Sequence, residues 1–481
     1  MLYQTIPFLS KQIVDQKITA VELTLSHCTR IEKVNKRLNA IVIDTQVSAL
    51  KQAKILDQRL RQNDIAGPLH GIPITIKESF NITGLKTTIN YPRTRNNVAS
   101  STSILVERLQ HAGAIILGKT NVPIMLADAQ TFGPLYPTCN NPYDISRSPG
   151  GSTGGGAAAL ASGMSNLEIG SDIGGSIRNP AHFCGLFGLK PTENNHAQDG
   201  HIPPLPNDDL GYQMLASTGP LARSVEDLII AFDVAFKPRW DYLQYLPINT
   251  PTASHPSLKG YRIAWFDEIS GFSCDQETTD LMKKVALDLS SKGVTVEKIN
   301  LSKEWSQNIF NSWATLYGLV AGQDMNWLMR NLLKLKFRSD LKHANLDVNK
   351  ALNNGLNLNF MAFSRALRLR QECTAEFSAY FDSFDFIICP TACGPAIKHN
   401  PKHQPIVVDD RKVHYLDYCF SFVLPFNAMG NPSLVFPAQQ DNTKLPIGLQ
   451  CIGRHHAEPQ LLHFGQLLEE SGYQFRKPEL D

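Results

Sequence analysis

The chain has 481 residues, 42% of them hydrophobic, and a net charge of +2 from 46 basic and 44 acidic side chains. That length supports a large buried core, and a near-neutral balance without long runs of one sign offers no footprint for direct nucleic-acid binding. Nowhere do the roughly 18 consecutive apolar residues of a membrane span occur. Nine scattered cysteines cannot all pair within the chain, and the first residues lack the pattern of a secretory leader, so a reduced, cytoplasmic location is expected.

Residues 1–65 read as helices, with Thr19-Ala20-Val21-Glu22 fitting a capping box that opens an amphipathic run to about Lys36. In Gly71-Ile-Pro-Ile-Thr-Ile-Lys77, the isoleucines alternate as in a strand, and Lys77 falls at its end. A lysine there is ordinarily solvated, so its role depends on what surrounds it. A helix over Ser101–His111 is followed by Gly113-Ala-Ile-Ile-Leu-Gly-Lys119-Thr120, which formally matches the phosphate-loop pattern G-x-x-x-x-G-K-[ST]. That pattern needs an open glycine loop between strand and helix. Here the apolar variable positions themselves read as strand, so a chance match is expected. Asn121–Tyr143 is turn-rich.

Ser146–Thr192 is the stretch around which the rest is organised. It holds two clusters of glycine and hydroxyl, Gly150–Gly156 and Gly174-Gly175-Ser176, with helix-prone Ala157–Ala161 and strand-like Asn166–Gly170 between them. A flexible linker would be flanked by polar sequence, whereas here ordered core lies on both sides. Residues 66–236 are therefore read as the catalytic core. Glu193–Pro206 is polar and irregular, Ser224 caps a helix to about Phe236, and residues 237–258, with four prolines, read as a surface connection.

The remainder, 259–481, opens on a strand–helix–strand unit (Tyr261–Phe266, Thr278–Ser291, Val294–Ile299) and continues in a helical layer over residues 302–382. Strands at Phe384–Cys389, Ser433–Phe436 and Gly448–Ile452 and a last helix, Pro459–Ser471, complete it. The densest basic patch, Lys334-Leu-Lys-Phe-Arg338, alternates with apolar residues, the pattern of a half-buried amphipathic segment, so membrane-surface binding is not expected. Strands and helices alternating over the whole length predict one α/β domain, with a mixed central sheet covered by helices on both faces.

Cys389, Cys393, His399 and His403 are too closely spaced for an ordinary zinc site, and no metal is expected. His70 and His182 stay in view as bases, although structural roles are expected for them. Serine needs a base before it attacks. A lysine buried behind the isoleucine strand, with its pKa lowered from about 10.4 towards ~7–8, can be that base. Two serines then permit a proton relay, and the unobstructed N–H groups of Gly174 and Gly175 suit the oxyanion of a tetrahedral acyl intermediate.

Gly71–Lys77, Gly118-Lys-Thr-Asn-Val-Pro123, Pro149-Gly-Gly-Ser152-Thr-Gly-Gly155, Gly170-Ser-Asp-Ile-Gly-Gly-Ser176-Ile-Arg-Asn-Pro-Ala181 and Phe183–Thr192 together resemble the amidase signature family. The resemblance runs from about residue 15 to 470. It implies that Ser176 is the nucleophile, Ser152 (on a cis peptide) the relay and Lys77 the general base. It also implies an oxyanion hole from the N–H groups of Ile173, Gly174, Gly175 and Ser176, with Met125 lining the substrate pocket and no metal or organic cofactor. The reaction implied is hydrolysis of a small-molecule amide to acid plus ammonia or amine. Thr153, Glu78, Pro137 and Glu193–His196 depart from the common pattern; Pro137 and Glu193–His196 bear on the entrance, not the chemistry.

Three rivals remain. Gly150-x-Ser152-x-Gly154 matches a nucleophile elbow, which would make Ser152 the nucleophile, although turn sequence precedes it where a buried strand is required. A nucleotide-binding protein using Lys119 is another. The third keeps the family but makes the chain the glutaminase component of a tRNA-dependent amidotransferase, active only with partner chains. The substrate's acyl and amine groups and the oligomeric state, a homodimer included, stay open.

Overall fold

The computed structural model describes residues 1–203, 214–236, 255–269, 271–323, 325–342, 344 and 348–480. Among them, one large sheet is built from β1 (Ile41–Asp44), β2 (Pro73–Lys77), β3 (Ile115–Thr120), β4 (Glu168–Asp172), β5 (Phe187–Lys190), β6 (Ser217–Ala222), β7 (Arg262–Trp265), β8 (Thr295–Lys298), β9 (Phe386–Pro390), β10 (Ser433–Gln440) and β11 (Pro446–Ile452). The strands lie in the order β1-β3-β2-β4-β6-β5-β10-β11-β9-β7-β8. Two blocks of parallel pairs (β3 with β2 and β2 with β4; β9 with β7 and β7 with β8) flank an antiparallel centre that runs from β4 to β9, and β1 adds antiparallel to β3. Pairing of β5 with β10, which joins residues 188–190 to residues 433–435, welds both halves of the chain into a single α/β domain with a mixed sheet.

Strand periodicity decides which side chains face which layer. Ile74 and Ile76 of β2, Ile169 of β4, Leu434 of β10 and Leu449 of β11 pack on one face against helices at 6–14, 104–111, 225–235, 276–291 and 458–470. The other face carries α1 (Gly154–Ala161), α2 (Arg178–Phe183) and a helical layer of α3 (Lys303–Gly322), α4 (Trp327–Asp340), α5 (Asn349–Leu356) and α6 (Phe360–Ser378). Lys77 leaves β2 one residue after Ile76.

The helix starts follow their caps. Thr19 Oγ1 receives Glu22 N–H at 3.0 Å while Glu22 Oε2 receives Thr19 N–H at 2.8 Å, and Ser224 Oγ receives Asp227 N–H.

Three regions differ from the sequence expectation. Within the N-terminal stretch read as helices, Ile41–Asp44 is a strand, antiparallel to β3. Four residues are too few to show a period, and the Asn35 side chain that ends the preceding helix holds Ala40 N–H, Ile41 N–H and Ile41 O at 2.9 Å. The glycines at 154–156, set before the helix-prone Ala157–Ala161 in the sequence reading, form the first turn of α1. Poor helix formers are tolerated there because a Cβ on Gly155 would lie 2.3 Å from Asn121 N, and one on Gly156 2.3 Å from the Glu168 side chain. In α4, the half-burial expected around Lys334–Arg338 holds on one face only, where Leu333, Lys334 and Phe337 are half-buried; no residue of the helix is fully buried, and four large apolar side chains are exposed. Of the proline-rich connection, residues 237–254 lie outside the described residues, as do residues 204–206 of the irregular loop.

Candidate active site

β2, an interior strand between β3 and β4, ends on Lys77, whose side chain is fully buried. Its Nζ lies 2.8 Å from Ser152 Oγ, 3.0 Å from Thr153 Oγ1, 2.9 Å from Ser171 Oγ and 3.3 Å from Ser171 O. All four contacts are neutral oxygens. Burial, partly offset by Asp172 and Glu168, pushes the lysine pKa down to about 7, so near neutral pH a sizeable fraction is free amine. Glu168 is itself pushed up to about 8 by burial, which leaves it largely uncharged at neutral pH.

Ser152 follows a cis peptide from Gly151. Its loop is pinned by Thr131 Oγ1 on Gly150 O at 2.8 Å, and Thr153 N–H donates to Ser176 O at 3.1 Å, which brings both serine segments together. Around Ser176 the turn is organised by buried Asp172. Its carboxylate receives the N–H groups of Gly175 (2.7 Å) and Ile177 (3.0 Å), Arg178 Nη2 (2.9 Å) and Nε (3.1 Å), and Asn427 Nδ2 (2.9 Å). Burial alone would raise this carboxyl; Arg178 outweighs it and holds Asp172 below the usual carboxylate range.

Ser152, Ser176, Ile173 and Met125 all line one cavity of about 200 Å³. A second, of about 140 Å³ and almost wholly apolar, meets it at Ile173, Ser176, Tyr317 and Phe337 and extends to Gly174, Trp313, Phe420 and Leu424. Of the four N–H groups expected to face an oxyanion, that of Gly175 is already engaged by Asp172. In this structure the Gly175 amide is therefore not free for that role, the Asp172 carboxylate being a strong acceptor for it. Met125 adopts a left-handed φ of 51°, and its N–H is held by Ile89 O at 2.8 Å. That loop is fixed in turn by Glu78, which receives Thr88 N–H, Ile89 N–H and Tyr136 O–H.

One cavity residue escaped sequence reasoning as part of the site. His201 Nε2 lies 2.9 Å from Ser171 Oγ and 3.1 Å from Ser79 Oγ, so it sits one hydroxyl away from Lys77. Burial, then the Lys77 charge, depress its pKa to about 3. The other candidates disperse. His70 and His182 are tied to backbone, at Leu56 O and Gly394 O. Lys119 is buried inside β3, donating to Lys86 O and Thr87 Oγ1, where no phosphate cradle can form. Cys389 is buried in β9, while His403 pairs with Asp128.

An amidase family profile matches residues 22–462. The chain belongs to the amidase family. It is 30% identical over 482 residues, 96% of either chain, to the A-type subunit of the glutamyl-tRNA(Gln) amidotransferase of Rippkaea orientalis, and 29% identical to that of Moorella thermoacetica over 100% of this chain and 99% of the relative. Among solved structures, a bacterial aryl acylamidase of the amidase signature family superposes with a TM-score of 0.81 at 22% identity, covering 98% of this chain and 96% of that one. As an amidase-family member the chain is a C–N hydrolase by class.

Within this amidase frame the departures can be placed. Thr153 keeps its hydroxyl on Lys77. Pro137 O accepts from Asn121 Nδ2 at 2.8 Å, and Glu193 is ion-paired to Arg370 of α6, a tie between the loop after β5 and the helical layer. The Asp172–Arg178 pair is the keystone of the nucleophile turn. Asp172→Ala strands a fully buried guanidinium, and a loss of about 3–5 kcal/mol is expected, read as the midpoint shift in urea unfolding.

Proposed function

We propose that this amidase cleaves a carboxylic acid amide through an acyl-enzyme on Ser176. Neutral Lys77 removes the proton of Ser152, Ser152 takes that of Ser176, and Ser176 Oγ bonds to the carbonyl carbon. The tetrahedral oxyanion is received by the N–H groups of Ile173, Gly174 and Ser176. As the C–N bond breaks, the relay returns a proton to the departing nitrogen, and ammonia or an amine leaves. Water, deprotonated by the same relay, then releases the acid. The observation that carries this reading is a buried amine 2.8 Å from Ser152 Oγ with only neutral oxygens in reach, beside a cavity that Ser152 shares with Ser176.

Labelling with a fluorophosphonate and mapping the adduct by peptide mass spectrometry tests it. The adduct is expected on Ser176; an adduct on Ser152 instead would restore the nucleophile-elbow reading and sink this one.

The sequence relatives favour a second reading, the glutaminase component of a tRNA-dependent amidotransferase. Among the described lining residues of the apolar cavity, the one acidic side chain, Asp128, already holds Tyr415 O–H, His403 Nε2 and Gln130 N–H. That leaves little there to recognise the charged ends of glutamine and supports an amide with an apolar acyl group. Glutaminase activity that appears only with a co-purified partner would decide for the second reading.

A further inference from the structure

Helix α4 presents opposite faces to two different surroundings. Leu333 and Phe337 line the catalytic cavity. At about 100° per residue, Trp327, Leu328, Leu332 and Leu335 fall together on the far side, and they are 71%, 59%, 58% and 64% exposed. Lys334 and Arg338 flank that apolar stripe on one edge; on the other lies Lys336, which also lines the catalytic cavity and is paired with Asp340, the helix's one acidic residue. Lys334 also bonds Asn357 Oδ1, which brings the turn carrying exposed Phe360 and Met361 alongside.

Four large apolar side chains in one stripe are not left in water without consequence. A tryptophan and leucines between two cationic edges match what lies in the plane of a bilayer surface: rings and aliphatic chains among the acyl tails, ammonium and guanidinium groups among the phosphates. No helix among the described residues is long and apolar enough to cross a membrane, so the contact is peripheral.

We propose that the outer face of α4 docks on an anionic lipid surface and holds the mouth of the catalytic cavity against it, so that amides with long apolar acyl chains reach Ser176 from the bilayer. The delivery of an amide rests on the function proposed above; the docking does not. A second copy of the chain is the competing occupant, disfavoured because the cationic edges of two such stripes would repel each other across an antiparallel contact.

The test spins the full chain with vesicles of phosphatidylcholine alone and of phosphatidylcholine mixed with phosphatidylglycerol. Pelleting with the anionic vesicles is expected, weakened by added salt. The double variant Leu332→Asp/Leu335→Asp is expected to weaken partitioning about a hundredfold or more. Turnover of a long-chain acyl amide presented in the vesicles falls with it, and that of a soluble short-chain anilide does not. Wild type left in the supernatant, a double variant that pellets as well, or vesicle-borne turnover untouched by the variant each overturn the proposal. So does a wild-type dimer that the variant splits in analytical ultracentrifugation, which would make the stripe a contact between copies. Pelleting without turnover of any amide leaves the docking in place and removes the catalytic reading instead.

Discussion

Ser176→Ala is expected to lower kcat on a good amide substrate by about a millionfold, the scale of losing a serine nucleophile whose partners act as a unit. Stability should hardly change. Ser176 is nearly buried, and the group that ties it to the relay loop is its backbone carbonyl, bonded to Thr153 N–H, which alanine keeps. Substrate binding should persist, since the Gly174 amide and both cavities remain. Steady-state kinetics beside a thermal melt read both halves of this expectation. A variant that still turns over would show that the acyl group is carried elsewhere.

Replacing Lys77 should reduce kcat by about 10²–10⁴-fold, the usual range for a lost general base. The accompanying pH dependence is the sharper reading. A base must be uncharged, so wild-type kcat/KM should rise with pH through about 7 and level off above it. A profile flat from about pH 5 to 9 would exclude lysine as the base. Stability carries the same signature with a definite sign. Between about 7 and the ordinary lysine value of 10.5, the unfolded chain holds a proton on Lys77 that the folded chain lacks, so stability increases with pH across that window. Below it, the fold contains a buried ammonium and gains nothing from further acid. Lys77→Met should flatten that slope while lowering kcat by that factor, a combination that mere misfolding cannot produce.

The three residues proposed for catalysis stand out in the residue order because each carries a local signature. An isoleucine alternation ends on Lys77, and glycines crowd Ser152 and Ser176 where close backbone approach is needed. His201 has no such mark. Its place one hydroxyl from Lys77 arises because β2 and β4 pair side by side and the segment after β5 folds back over them, an arrangement no spacing rule encodes. The engagement of Gly175 N–H by Asp172 was equally invisible: both residues lie in the recognised motif, but which amides point at the carboxylate is set by the geometry of the turn. For α4 the pattern was correctly amphipathic. Periodicity shows that an apolar stripe exists and is silent on whether protein or solvent covers it.

Residue order alone therefore sufficed for the α/β class, the single domain, most strands and helices of the second half and the amidase-family character, since these depend on short-range patterns of hydrophobicity, glycine and caps. Tertiary structure was needed for the strands at 41–44 and 217–222, the histidine beside the lysine, the two-lobed cavity and the exposed face of α4. Each of those depends on pairing or burial between segments tens to hundreds of residues apart, and burial belongs to the folded surface, not to the string of residues beneath it.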